Sequence, residues 1–259
     1  MQRDSIANTF TVAVCLCIVC SVVVSTAAVM LRPAQERNKL LERKRNILQA
    51  AGLYTPDQPL EELFKQVETR IVDLDTGEFI DPSAINPETF NQRAAARNLT
   101  TSQIVPASED LAGIGRREKY SLVYLIRDNG RLSQIVLPVH GKGLWSTLYG
   151  FLALDADLDT IEGLTFYEHG ETPGLGGEVD NPRWKQQWVG KRAFDDDGQI
   201  RIEVIRGQVD EDQPESIHQI DGLAGATITA RGVSNLVQFW LGEEGFRKLL
   251  ENLRKTEST

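Results

Sequence analysis

Tyr120-Ser121-Leu122-Val123-Tyr124-Leu125-Ile126-Arg127-Asp128-Asn129-Gly130-Arg131-Leu132-Ser133-Gln134-Ile135-Val136-Leu137-Pro138-Val139 contains two β-rich runs, Tyr120 to Arg127 and Leu132 to Val139, joined through Asp128-Asn129-Gly130. Asn-Gly tolerates the positive φ of a tight turn, so the runs predict a pair of antiparallel strands. Downstream, Tyr149 to Leu154 and Ile161 to Tyr167 predict a second pair, and Ile200 to Ile205 a further strand. Upstream, Arg70 to Leu74 and Glu78 to Ile80 flank Asp75-Thr76-Gly77, with a short helix expected from Pro59 to Glu68. Asp81 to Arg117 is polar and irregular and reads as connecting loops. Strand pairs mixed with helices, without regular strand–helix alternation, predict an α+β fold with antiparallel sheet rather than a doubly wound nucleotide fold. No G-x-G-x-x-G or G-K-[ST] loop is present, and Lys142 in Gly141-Lys142-Gly143 reads as a turn lysine.

The C-terminal third holds the run Asp221-Gly222-Leu223-Ala224-Gly225-Ala226-Thr227. Its glycines and alanines let a bulky ligand or a modifying enzyme approach the backbone. Beyond it, Val233, Leu236, Val237, Trp240 and Leu241 recur at helical spacing and Gly242 offers a stop, so Thr227 falls at or just before a helix start. A helix N-terminus favours phosphate, and a threonine hydroxyl activated by a transferase's base and metal can form a phosphodiester. On its own the run also reads as a glycine turn feeding an amphipathic helix.

Two more stretches carry polar groups beside flexible backbone. Gly141-Lys142-Gly143-Leu144-Trp145-Ser146 offers Trp145 either to a flat ligand or to the core. Phe166-Tyr167-Glu168-His169-Gly170-Glu171-Thr172-Pro173-Gly174-Leu175-Gly176-Gly177-Glu178-Val179 has four glycines and a proline, and reads either as a loop whose backbone amides point at a ligand's carbonyls, with Glu171 and Thr172 alongside, or as a surface loop with demanding turn geometry. The three histidines are too scattered for a metal site, and His169 reads as structural or merely near the site. No nucleophile elbow is present, which argues against hydrolysis. Arg206 is either a phosphate partner or a solvated strand-end arginine. Redox chemistry would therefore need a cofactor.

The 259 residues carry a net charge of −9, with no basic block interleaved with aromatics, which argues against nucleic acid as a partner. Cys15, Cys17 and Cys20 all lie in one apolar N-terminal run, so the rest of the chain is without disulfide or thiolate ligation. Between Asp4 and Arg32 stand 27 uncharged residues, roughly 40 Å as a helix against a hydrocarbon core of about 30 Å. That length favours a retained transmembrane helix over a cleaved signal peptide. The domain reading is a short tail over 1–9, a transmembrane helix over 10–31, a juxtamembrane helix over 32–54 and a soluble domain over 55–259. Six basic residues from Arg32 to Arg45 follow the span and only Arg3 precedes it, which by charge count keeps the domain cytoplasmic. The basic segment either touches lipid headgroups or is a solvated helix face.

Taken together, the anchor, the Gly141 to Ser146 run continuing through Gly150-Phe151-Leu152-Ala153-Leu154, the Glu168 to Glu178 loop and the Asp221 to Thr227 run resemble the C subunit of the Na+-translocating NADH:quinone oxidoreductase, over essentially the whole chain. The resemblance implies an FMN-binding domain on one transmembrane helix, with FMN joined through its phosphate to Thr227 by a separate flavin transferase. It also implies that Trp145, Glu171, Thr172, Leu175 and Arg206 surround the flavin, and that Asp221, Gly222, Leu223, Ala224, Gly225 and Ala226 form the attachment motif. Ala224 stands where the family usually carries serine or threonine. The implied role is an electron-carrying subunit between NADH and ubiquinone in a sodium pump of the bacterial inner membrane. Its flavin domain would be periplasmic, against the charge count, and NADH and sodium would be handled by partner subunits. The alternatives are the similar G subunit of an Rnf-type complex and a non-redox, membrane-tethered binding module.

Overall fold

In a computed structural model, residues 6–257 are described. The apolar span and the basic segment after it form one helix, α1 (Ile6–Ala50), which carries all three free, exposed cysteines and is long and apolar enough to cross a membrane. The chain divides into two units, one up to Arg43 and one from Lys44 onward. That division falls inside the segment expected to be juxtamembrane, because Ile47, Leu48 and Ala50 belong to the core of the second unit.

The second unit is built on a six-stranded antiparallel sheet. Its strands are β1 (Val67–Asp73), β2 (Glu78–Phe79), β5 (Tyr120–Asp128), β6 (Arg131–Lys142), β7 (Thr147–Asp155) and β8 (Ile161–Glu168), in the order β2-β1-β5-β6-β7-β8. The β5–β6 hairpin turns at Asn129 (φ 49°) and Gly130 (φ 84°), as the Asn-Gly pair predicts.

Both faces of the sheet are buried. Val123 and Leu125 of β5 join one cluster, and Leu122, Tyr124 and Ile126 join the other. The first cluster is completed by α5 (Thr227–Leu241) and α6 (Arg247–Glu257) through Val233, Leu236, Trp240, Leu249 and Leu250. The second is completed by the C-terminal turns of α1, with Leu60, Leu63 and Phe64 of α2 (Leu60–Phe64) packed beside them. Gly163 lets the end of α1 reach the sheet, since a Cβ there would sit 2.5 Å from the Ala50 carbonyl oxygen. Thr165 Oγ1 donates to the Asn46 carbonyl at 3.2 Å.

Three regions depart from the sequence expectation, the first being the helix expected from Pro59 to Glu68, which ends at Phe64 and gives way to β1 at Val67. Residues 81–117, expected as loops, contain α3 (Gln92–Arg97) and β3 (Ser102–Ile104) and run into β4 (Arg116–Glu118). Asn91 caps α3 by accepting from the Ala94 amide, and β3 pairs β4. These elements are too short for periodicity to reveal. The strand expected over Ile200 to Ile205 contracts to β9 (Glu203–Val204), paired parallel with β10 (Gln219–Ile220); α4 (Pro182–Gln186) precedes them.

Candidate functional site

Four segments converge at one end of the sheet, and α5 organises them. The helix begins at Thr227, which is exposed, and the preceding Ala226 has no side-chain oxygen to cap the first amides. The N-terminal turn therefore keeps its donors and the positive end of its dipole available to an anion. Gly225 turns into the helix at φ 71° and packs against Leu175, whose Cδ2 lies 2.9 Å from where a Cβ would stand. Further along α5, Gly232 lies against the end of β6, 2.5 Å from the Lys142 carbonyl oxygen by the same measure.

The motif's upstream half rests on scaffold. The Asp221 carboxylate accepts from the Val209 amide at 2.7 Å and from Gln187 Nε2 at 3.1 Å, its amide donates to Gln187 Oε1, and its carbonyl accepts from Trp184 Nε1. Gly222 donates to the Gly207 carbonyl at 2.8 Å, and a Cβ there would lie 2.5 Å from the Ile205 carbonyl oxygen. That contact brings the exposed Arg206 beside the motif. Leu223 and Ala226 are buried; Ala224 is exposed.

The Gly143 to Ser146 loop is fixed by one carboxylate. Glu171, 5% exposed, accepts from the amides of Trp145 (2.9 Å), Leu144 (3.2 Å) and Ser146 (3.2 Å) and from Thr229 Oγ1 (2.5 Å). Burial pushes this carboxyl up, but the Thr229 hydroxyl and the three amides outweigh it and hold it below the usual range. Trp145, by contrast, is 71% exposed, so it is a surface aromatic and not a core one.

The glycine-rich loop satisfies much of its own backbone. The amides of Leu175 and Gly177 donate to the Thr172 carbonyl, and that of Gly170 to Ser146 Oγ. The His169 ring lies between Asp180 and the Glu171 amide, a structural position. Thr172 and Leu175 are exposed.

Thr227, Trp145, Leu175, Thr172 and Arg206 are thus exposed residues on segments that these contacts join, with the buried Glu171 and the half-buried Asp221 as struts between segments. Sequence reasoning gave no role to Thr229, Gln187 or Trp184, because their partners are 34 to 58 residues away. Two concavities elsewhere, one around Asp159, Arg192 and Arg254 and one around Leu111, Phe239 and Arg247, contain none of the site residues. Among the described residues, no group of histidines, cysteines and carboxylates is arranged to hold a metal.

The FMN-binding domain family matches residues 143–242, which hold every residue of this surface. The chain is similar to the C subunit of the Na(+)-translocating NADH-quinone reductase of Pseudomonas aeruginosa, 49% identical over 99% of each chain. It is also similar to the C subunit of the same enzyme from Yersinia pestis, 46% identical over 98% of this chain and 95% of that one. The crystal structure of Shewanella oneidensis NqrC superposes with a TM-score of 0.77 at 38% identity, over 86% of this chain and 99% of that one.

Proposed function

The chain belongs to the family of C subunits of the Na(+)-translocating NADH-quinone reductase, and from that premise we propose that its FMN-binding domain carries FMN covalently, joined through the flavin phosphate to Thr227. The observation that carries this reading is the exposed Thr227 at the uncapped start of the 15-residue helix α5. Attachment there puts a phosphodiester against the helix N-terminus, where backbone donors and the helix dipole favour its charge. In this reading Arg206, next to Gly207, whose carbonyl accepts from the Gly222 amide, pairs with the same phosphate. Trp145 and Leu175 supply apolar surface for an aromatic ring system.

Bound FMN supplies electron transfer that no side chain of this domain can perform. The residues' part is retention and orientation. The site is an exposed surface, so burial alone is a weak hold, and a covalent bond keeps the carrier in place in every redox state. In this reading the chain passes electrons between NADH and ubiquinone within the complex. Other subunits bind NADH and sodium, and a flavin transferase, using a base and metal of its own, modifies Thr227 during maturation. Helix α1 holds the chain in the bacterial inner membrane, and its basic segment meets lipid headgroups. We place the flavin domain in the periplasm, overriding the positive-inside count, which large domains and partner subunits can do.

The test is a denaturing gel of the chain coexpressed with the transferase, viewed for flavin fluorescence. A fluorescent wild-type band that is absent in Thr227→Ala is expected. A dark wild-type band, in cells where a known acceptor is labelled, or a fluorescent Thr227→Ala band, rejects covalent attachment at this residue. Protease added to intact spheroplasts should degrade the domain; full protection would put it in the cytoplasm.

A further inference from the structure

Glu171 is a buried carboxylate with an unusual set of partners. Its charge is held by three consecutive amides of the Trp145 loop and by the hydroxyl of Thr229, and among the described residues it forms no ion pair. Enclosure is close on two sides. A Cβ on Gly143 would lie 2.7 Å from Oε1, and one on Gly176 2.8 Å from Oε2. The backbone of Glu171 is held as well. Its amide donates to His169 Nδ1 at 3.2 Å, which leaves His169 Nε2 as the N–H that donates to Asp180 Oδ2 at 2.8 Å.

One side chain therefore joins three pieces of chain that are remote in sequence: the loop that displays Trp145, the glycine-rich loop, and the first turn of α5 two residues past Thr227. We propose that Glu171 is a positioning residue, a clasp that fixes the indole of Trp145 relative to the hydroxyl of Thr227 so that tether and aromatic surface form one rigid unit. The proposal rests on the assignment of Thr227 and Trp145 to the flavin site. It assigns Glu171 to loop geometry, acting through Trp145, with no contact to the flavin required.

Three variants of the full-length, flavin-labelled protein in its complex test the clasp: Glu171→Gln, which presents an amide donor where donors already point; Thr229→Ala, which removes the hydroxyl; and Thr229→Ser, which keeps it. Two readouts are taken beside the melting temperature. Hydrogen exchange at Leu144, Trp145 and Ser146 should accelerate roughly tenfold or more in Glu171→Gln and Thr229→Ala and stay near wild type in Thr229→Ser. Flavin fluorescence lifetime reports how closely Trp145 quenches the flavin. It should lengthen in Glu171→Gln and Thr229→Ala toward the Trp145→Phe value, with Thr229→Ser restoring the wild-type lifetime. Unchanged exchange overturns the clasp, with or without bound flavin, because that readout needs none. Unchanged lifetimes in the clasp variants, with Trp145→Phe differing from wild type, overturn the positioning role. Should Trp145→Phe match wild type, the flavin-site reading of Trp145 falls, and the positioning role with it.

Discussion

His140 lies between two rings, Tyr149 at 5.5 Å and Trp240 at 4.8 Å, and its carbonyl accepts from Trp240 Nε1. Burial, reinforced by the charge of Arg93, lowers its pKa to about 4. The unfolded chain titrates near 6.5, so as pH falls it takes up a proton that the folded state refuses. Stability is full above that pH, drops between about 6.5 and 4, and levels off below, a loss of at most about 3 kcal/mol. Urea unfolding at pH 7 and pH 5 should show about 2 kcal/mol of that loss in wild type and a flatter response in His140→Phe. Glu118 has the opposite sign. Fully buried, it accepts from Gln92 Nε2 at 2.5 Å and from Ser121 Oγ while its second oxygen has no partner, and burial raises its pKa. The unfolded chain then loses its proton first as pH rises, which erodes stability toward neutral pH. Glu118→Gln should therefore raise the unfolding midpoint at pH 8 more than at pH 5. Thr227, Trp145 and Glu171 could be named from the sequence, whereas the Glu171–Thr229 bond could not. Residue types show which groups are able to bond, and only the fold shows which meet.

At the scale of elements, legibility followed length. The β5–β6 hairpin, the β7–β8 pair and α5 are long enough for alternation or helical spacing to show, and the Asn-Gly turn fixes the first of them. The six residues of α3 and three each of β3 and β4 are set by the Asn91 cap and by pairing with one another. The contact that places the site is between elements: α5 lies on the end of β6 through Gly141 and Gly232. A methyl group on Gly232 would stand 2.5 Å from the Lys142 carbonyl oxygen, which neither backbone can easily relieve. Gly232→Ala should cost about 1–3 kcal/mol in unfolding experiments by forcing the helix off the sheet. Because the same shift separates Thr227 from the Trp145 loop, the proposed flavin attachment should decline with it.

For the whole molecule, the junction between anchor and domain is where the sequence pattern says least about packing. Charge and apolar spacing set residues 32–54 apart as a juxtamembrane helix, yet Ile47, Leu48, Ala50 and Ala51 are core residues of the unit that begins at Lys44. Leu48 is fully buried, so Leu48→Ala should destabilise the domain by about 2–5 kcal/mol, read as a lowered thermal midpoint. By the same reasoning, a chain shortened to begin at residue 40 should melt cooperatively, whereas one beginning at residue 55 should not. The confinement of all three cysteines to α1 has a chemical counterpart, since the two methionines, Met1 and Met30, also precede Lys44. The FMN-binding unit is consequently free of sulfur. Flavins that meet oxygen release superoxide and peroxide, and thiols and thioethers are the side chains these most readily turn polar. A flavin protein made without them has no such atom in its core to be spoiled by its own cofactor's side reactions.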